Sequence, residues 1–240
     1  MKKVFAFLMF AGVMALAACG STDGGDGGDG GDGCGGSCNG GTDSGAMDTS
    51  DSTIDMYKNG TIKAQWWVNV HADAAKGQYW ETSSEAYGTT TTQRWQVANV
   101  DGGTAIIEWQ MKTDSQYAKS NYIIAFEVDL GVTTAGDVNV KKAWIGKPGE
   151  AGAEIQIMEK PEATCGGTAN YEMTEEDFSG VNIAGKDWSG KLVTMKGEGW
   201  ESKSWNAEGG YFGGVIKTEA SGMVTELSAF GTDAEPLLKW

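Results

Sequence analysis

The chain has 240 residues, with 18 Lys and Arg against 33 Asp and Glu, a formal charge of −15 and a single His. An acid excess of this size argues against nucleic acid as a partner, because phosphate backbones are bound by neutralising them with Lys and Arg. It equally disfavours polybasic docking on anionic lipid.

Residues 1–18 read as an export signal. Lys2 and Lys3 precede an apolar run from Val4 to Ala15, and small residues follow, which is the order of the regions in a secretory signal. The run is too short for a helix spanning ~20 residues of hydrocarbon. Leu16-Ala17-Ala18-Cys19 resembles the lipobox of bacterial lipoproteins. That resemblance implies cleavage before Cys19, acylation of Cys19, and a membrane partner reached through the N-terminal acyl anchor. Gly20, rather than Asp, follows the Cys. Under the sorting rule of enterobacteria this resembles an outer-membrane lipoprotein and implies a place in the bacterial cell envelope, with the leaflet face open. Removal of the signal leaves 16 basic and 33 acidic side chains, or −17.

Residues 19–53 carry a period-three Gly-Gly-Asp repeat from Asp23 to Gly33. Collagen needs abundant Pro as well as Gly, and a calcium-binding β-roll needs a recurring apolar position; neither is present. A Gly-rich chain with one sign of charge is a solvated tether. Its 35 residues have a root-mean-square reach of about 30–35 Å. Cys34 and Cys38 frame two Gly and a Ser, a spacing that permits a small disulfide loop in an oxidising compartment. Pairing among Cys34, Cys38 and Cys165 stays open. The spacing is one residue longer than Cys-x-x-Cys and no His lies nearby, so neither a redox motif nor a metal site is expected.

Residues 54–240 hold all ten Trp and all three Pro and suit one domain. The pattern predicts a mainly β fold, an antiparallel meander forming a curved sheet, half-barrel or barrel with few short helices. Asp48 to Lys58 is a candidate helix. Gln65–Val70 and Lys76–Ser83 read as strands. Thr89–Val100 and Ala105–Lys112, joined by Asp101-Gly102-Gly103, alternate with period two and predict a hairpin. Asn121–Leu130 is apolar on both faces and reads as a doubly buried strand. Val138–Trp144 and Ile155–Ile157 continue the pattern. Thr174–Phe178 offers a short helical turn. Lys191–Lys196, Trp200–Asn206, Gly214–Thr218 and Met223–Phe230 are further strands between Gly-rich turns.

No nucleophile elbow, P-loop, dinucleotide fingerprint or zincin motif occurs, so no enzyme activity and no cofactor are expected. A Ser-His-Asp triad would have to use His71, which has no nucleophile nearby in sequence. Glu81, Glu85, Glu108 and Glu127 sit on candidate strands where alternation puts them on the wet face, and they receive no role. Tryptophan is the one excess. Most of the ten indoles are expected in the core. Trp66 and Trp67 are adjacent, so on a strand they face opposite ways and one is left as a ligand contact.

Val181-Asn182-Ile183-Ala184-Gly185-Lys186, Gly199-Trp200-Glu201-Ser202, Gly213-Gly214-Val215-Ile216-Lys217 and Glu226-Leu227, with Ala143 to Glu150, resemble a group of uncharacterised bacterial exported proteins. More distantly they are similar to the Lol-type lipoprotein-carrier superfamily. Gly190 stands where the exported proteins often carry Cys. The resemblance implies a half-barrel with an apolar cavity and a lipid or other apolar ligand. A non-catalytic structural or interaction role and a carbohydrate-binding domain are the alternatives.

Overall fold

The computed structural model describes residues 46–71, 73–132, 134–161 and 171–240. Cys19, Cys34, Cys38 and Cys165, with the signal and most of the tether, lie outside the described residues. In chain order the elements are β1 (Met47–Asp48), α1 (Ser50–Lys58), β2 (Tyr79–Ala86), β3 (Thr89–Asp101), β4 (Thr104–Ser115), β5 (Ala118–Asp129), β6 (Val140–Gly146), β7 (Ala153–Glu154), β8 (Glu172–Ile183), β9 (Lys186–Gly197), β10 (Trp200–Ala207), β11 (Val215–Ala220) and β12 (Met223–Gly231). The fold is mainly β, as the alternation predicts.

The strands form one open sheet in the order β7-β6-β5-β4-β3-β2-β12-β11-β10-β9-β8, with β1 added in parallel to β5. It is two meanders, β2 to β7 and β8 to β12, joined where β12 pairs with β2. The sheet does not close into a barrel. Its C-terminal half curls until β8 touches β12, driven by Phe178, Val181 and Ile183 packing with Trp188 and Phe230.

The folded unit starts before Ile54, the boundary expected from composition. Met47 and Asp48 pair with Ala118 and Lys119, and the Asp48 carboxylate accepts the Ser50 N–H at 2.9 Å. Ser50 is buried, and its hydroxyl accepts the Asn121 N–H at 2.8 Å, so the last residues of the expected tether fix α1 to β5.

Three expected elements differ. Ile155–Ile157 is not a strand, because β7 ends at Glu154 and Ile157 makes only an isolated parallel bridge to Ala64. Gln65–Val70 is not a strand, because the Asn139 side chain replaces a ladder neighbour. Its Oδ1 accepts the Val68 N–H at 2.8 Å and its Nδ2 donates to the Val68 carbonyl at 2.7 Å. Thr174–Phe178 is not helical but the middle of β8. Asp177 lies directly opposite Lys191 on β9, and that Lys binds both Asp177 (2.6 Å) and Glu175 (3.5 Å). Cross-strand charge pairs of this kind favour the ladder over a helical turn.

Both faces of the N-terminal half are covered. On the helix face, Ile54 of α1 and Ala64 and Val68 pack on Val97, Ile107, Ile124, Phe126 and Ile145. On the tail face, Leu237 and Leu238 pack on Ile106, Ile123, Ala125 and Trp144. Burial of β5 on both sides follows from its two-faced apolar sequence. In the other half, Trp80, Trp188, Ile216 and Leu227 form a second core. Gly190 has a packing reason: a Cβ there would collide with the Asn206 backbone carbonyl on β10. No other residue, Cys included, fits that crossing without parting β9 from β10.

Candidate ligand-binding face

Trp80, Trp95 and Trp109 are direct cross-strand neighbours on β2, β3 and β4 and share the helix face. Their environments differ. Trp80 is buried, its Nε1 donates to the Val215 carbonyl at 2.8 Å, and its ring meets Trp188 at 5.4 Å and Phe230 at 5.8 Å. That indole is structural. Trp95 and Trp109 are half-buried and stack on each other at 5.4 Å, 15° from parallel. Phe126 and Phe212 flank Trp95, each at 6.2 Å.

The Trp109 Nε1 is buried and finds no hydrogen-bond partner among the described residues. A buried donor left unmade costs about 1–3 kcal/mol, so such groups are rare and call for an explanation. Next to it on the same face run Thr82, Gln93, Met111 and Tyr122, in register across four strands and all half-buried. The following row on that face is Ser84, Thr91, Thr113 and Ser120. The surface is thus an apolar and aromatic floor grading into hydroxyls.

Tyr57 of α1 and Tyr122 close one side. Burial, with a smaller contribution from the Tyr57 phenol, pushes the Tyr122 hydroxyl up to about 12 from 10.0; burial also raises Tyr57. Both phenols are donors at neutral pH. The sign of the linkage is fixed: the folded state keeps a proton that the unfolded chain releases. Stability from Tyr122 is full below pH 10.0 and is lost as pH rises towards about 12. We expect urea midpoints to fall across that window, and Tyr122→Phe to flatten the fall. An equal slope in both proteins would refute this.

The residues expected to bind ligand lie elsewhere. Trp66 and Trp67 are half-buried on the irregular segment beside β6, so strand alternation does not divide them between two faces. The Trp66 carbonyl accepts the Asn139 and Val140 N–H groups, both at 3.1 Å, and its Nε1 donates to the Gly136 carbonyl at 3.3 Å. His71 Nε2 lies 2.9 Å from Gln78 Oε1, and its ring stacks on Tyr211 at 5.0 Å.

Glu108 is not on a wet face. It is 0 % exposed on the tail face. Its carboxylate accepts from Gln96 Nε2 (2.7 Å), the Leu237 N–H (2.8 Å), the Leu238 N–H (2.9 Å) and Trp240 Nε1 (3.3 Å). The C-terminal segment folds over a face that alternation alone leaves in water. Glu81 instead faces Arg94 at 3.9 Å, Glu127 faces Lys142 at 3.9 Å, and Glu85 is exposed.

The Trp95–Trp109 stack depends on a register shift. The Gly102-Gly103 turn sets Asn99 opposite Ile106, but a bulge between Val97 and Asn99 sets Val97 opposite Ile107 and Trp95 opposite Trp109. A conflict between the register a turn imposes and the match of two apolar alternations is the sequence signal for such a bulge. Comparison with protein-family models, curated proteins and solved structures returns no match.

Proposed function

We propose that this chain is a lipid-anchored protein of the bacterial envelope, acylated at Cys19 and located at the outer membrane, whose β domain holds a lipid or other amphiphilic ligand without catalysis. One observation carries the ligand reading: the buried Trp109 Nε1, without a partner among the described residues, at the margin of a half-buried aromatic floor. A molecule with an apolar body and one acceptor oxygen, such as an acyl chain with its carbonyl, would satisfy both. The linings of small-molecule sites combine apolar and aromatic side chains with a few placed polar groups, and this face supplies both kinds. Glu108, spent on the tail, is not available as a general acid. The site is therefore assigned to Trp95, Trp109, Met111 and Tyr122 rather than to Trp66 and Trp67.

The test is native mass spectrometry with lipid extraction on the chain from residue 19 carrying Cys19→Ser. A co-purifying apolar molecule, lost in Met111→Glu and kept in Trp66→Ala, is the expected result. A clean apo mass with no uptake of an apolar fluorescent probe would overturn it and leave the structural lipoprotein.

A further inference from the structure

In an antiparallel meander alternate turns share one rim. The β2–β3, β4–β5, β9–β10 and β11–β12 turns lie together on one rim, along with the starts of β1 and β8. Eight of the eleven exposed large apolar side chains among the described residues are on that rim, a concentration that scattered surface apolar groups do not show. Tyr87 is 105 % exposed, Tyr117 76 % and Trp200 44 %, with Met47, Met173 and Met223 beside them.

The opposite rim is built differently. Two of its turns are Gly102-Gly103 and Ala184-Gly185, its β5–β6 connection carries the exposed Val138, and the aromatic residues of its β10–β11 loop, Tyr211 and Phe212, fold inward onto His71, Trp80 and Trp95. Tyr87 makes the asymmetry sharper. It has φ +52 at the first position of a two-residue turn, followed by Gly88 at φ +71. That position favours Asn, Asp or Gly, and a bulky residue at positive φ is uncommon. A fully exposed Tyr held there serves nothing in the fold.

We infer that this rim is a membrane-contact surface, on which Tyr87, Tyr117 and Trp200 enter the headgroup layer of a lipid bilayer. Trp and Tyr have an apolar body and a polar tip, and they concentrate where lipid meets water. The bilayer is the occupant indicated by where the preceding chain joins the domain. Residues 1–45 lead to Met47, whose N–H donates to the Tyr117 carbonyl at 3.0 Å on this rim. The acyl anchor proposed at Cys19 therefore attaches from the aromatic side; the orientation rests on that reading, whereas insertion of the tips does not. The lipid is zwitterionic. Lys119 on this rim is paired with Asp114 (3.5 Å), and Lys196 and Lys203 with Glu201 (3.7 and 3.1 Å), so carboxylates match these cations and the rim offers no polybasic cluster to anionic headgroups.

The test is co-sedimentation of the chain from residue 19, with Cys19→Ser, on phosphatidylcholine vesicles. The unacylated protein is expected to sediment at millimolar lipid. The triple variant Tyr87→Ser/Tyr117→Ser/Trp200→Ser is expected to partition at least tenfold more weakly with an unchanged melting temperature. Val138→Ser/Met158→Ser, away from this rim, is expected to match the parent. Absence of sedimentation by the parent, equal sedimentation by the triple variant, or an equal loss in the control pair would each overturn the inference. Radiolabelled palmitate on Cys19 tests the anchor separately, and probe uptake by the triple variant tests the ligand face, so the three readings fail independently.

Discussion

Glu108→Ala is expected to destabilise the domain by roughly 3–5 kcal/mol, because each buried donor left without an acceptor costs about 1–3 kcal/mol. Four donors converge on that carboxylate, two of them consecutive backbone N–H groups of the tail. The loss is large against the ~5–15 kcal/mol that holds a typical domain together. The effect has a location. Leu238 is buried over Gly146 and Gly152, where a Cβ would touch its methyl groups, so a detached tail also uncovers Ile123, Ala125 and Trp144. Amide exchange at Leu237 and Leu238 should accelerate about 100-fold, equivalent to about 2.7 kcal/mol of local opening. Glu108→Gln, which keeps one acceptor oxygen, should fall between. If urea unfolding shifts by less than about 1 kcal/mol and exchange is unaltered, the Gly149–Leu237 and Gly152–Lys239 backbone bonds, both 2.7 Å, hold the tail without Glu108.

Trp80→Ala should cost about 3–5 kcal/mol, the range for removing a large aromatic from a packed interior. Trp80 stands on β2 where the two meanders meet, opposite Phe230 across the β12–β2 ladder. Its ring touches aromatic groups from three other elements of the C-terminal half: Trp188, Tyr211 and Phe230. Removal opens the second core and leaves the Val215 carbonyl without its indole donor. Among the described residues, the β12–β2 ladder is the one strand pairing that links the halves. The variant should therefore lose amide protection in β8 to β12 at lower urea than in β3 to β5, where the parent unfolds as one unit. Trp200→Ala, 44 % exposed at a turn, should shift the midpoint within the ±0.5 kcal/mol usual for surface changes. A small effect at Trp80, or a parent that already unfolds in two steps, would mean that the halves are stabilised separately.

The fold was readable where one physical signal decided a segment. The Asp101-Gly102-Gly103 turn between two alternating runs is the β3–β4 hairpin, and the unbroken apolar run at Asn121–Leu130 is the doubly buried β5. Reading failed where a distant group decided. Gln65–Val70 has the composition of a strand, yet Asn139 fixes it as an irregular segment. Thr174–Phe178 has a helical start, yet Lys191 on the neighbouring strand pairs its carboxylates. Glu108 alternates with apolar residues as a wet-face residue would, and a tail ~130 positions away in sequence buries it. The candidate site is half legible: the Trp excess and the adjacency of Trp66 and Trp67 are plain in the sequence, whereas the cross-strand register that stacks Trp95 on Trp109 is not.

By itself the sequence determined the class of fold, since period-two alternation and Gly-rich turns admit little besides an antiparallel sheet. Tertiary structure decided which faces meet. The side-chain period of a strand is two, so a single extra residue exchanges its faces. The bulge between Val97 and Asn99 is such a residue. Without it Trp95 would stand opposite Gln110 and share no face with Trp109; with it the two indoles stack into the floor of the candidate site. Apolar burial against α1 and Val68 favours that register, and such burial exists only once the sheet and its covers have come together.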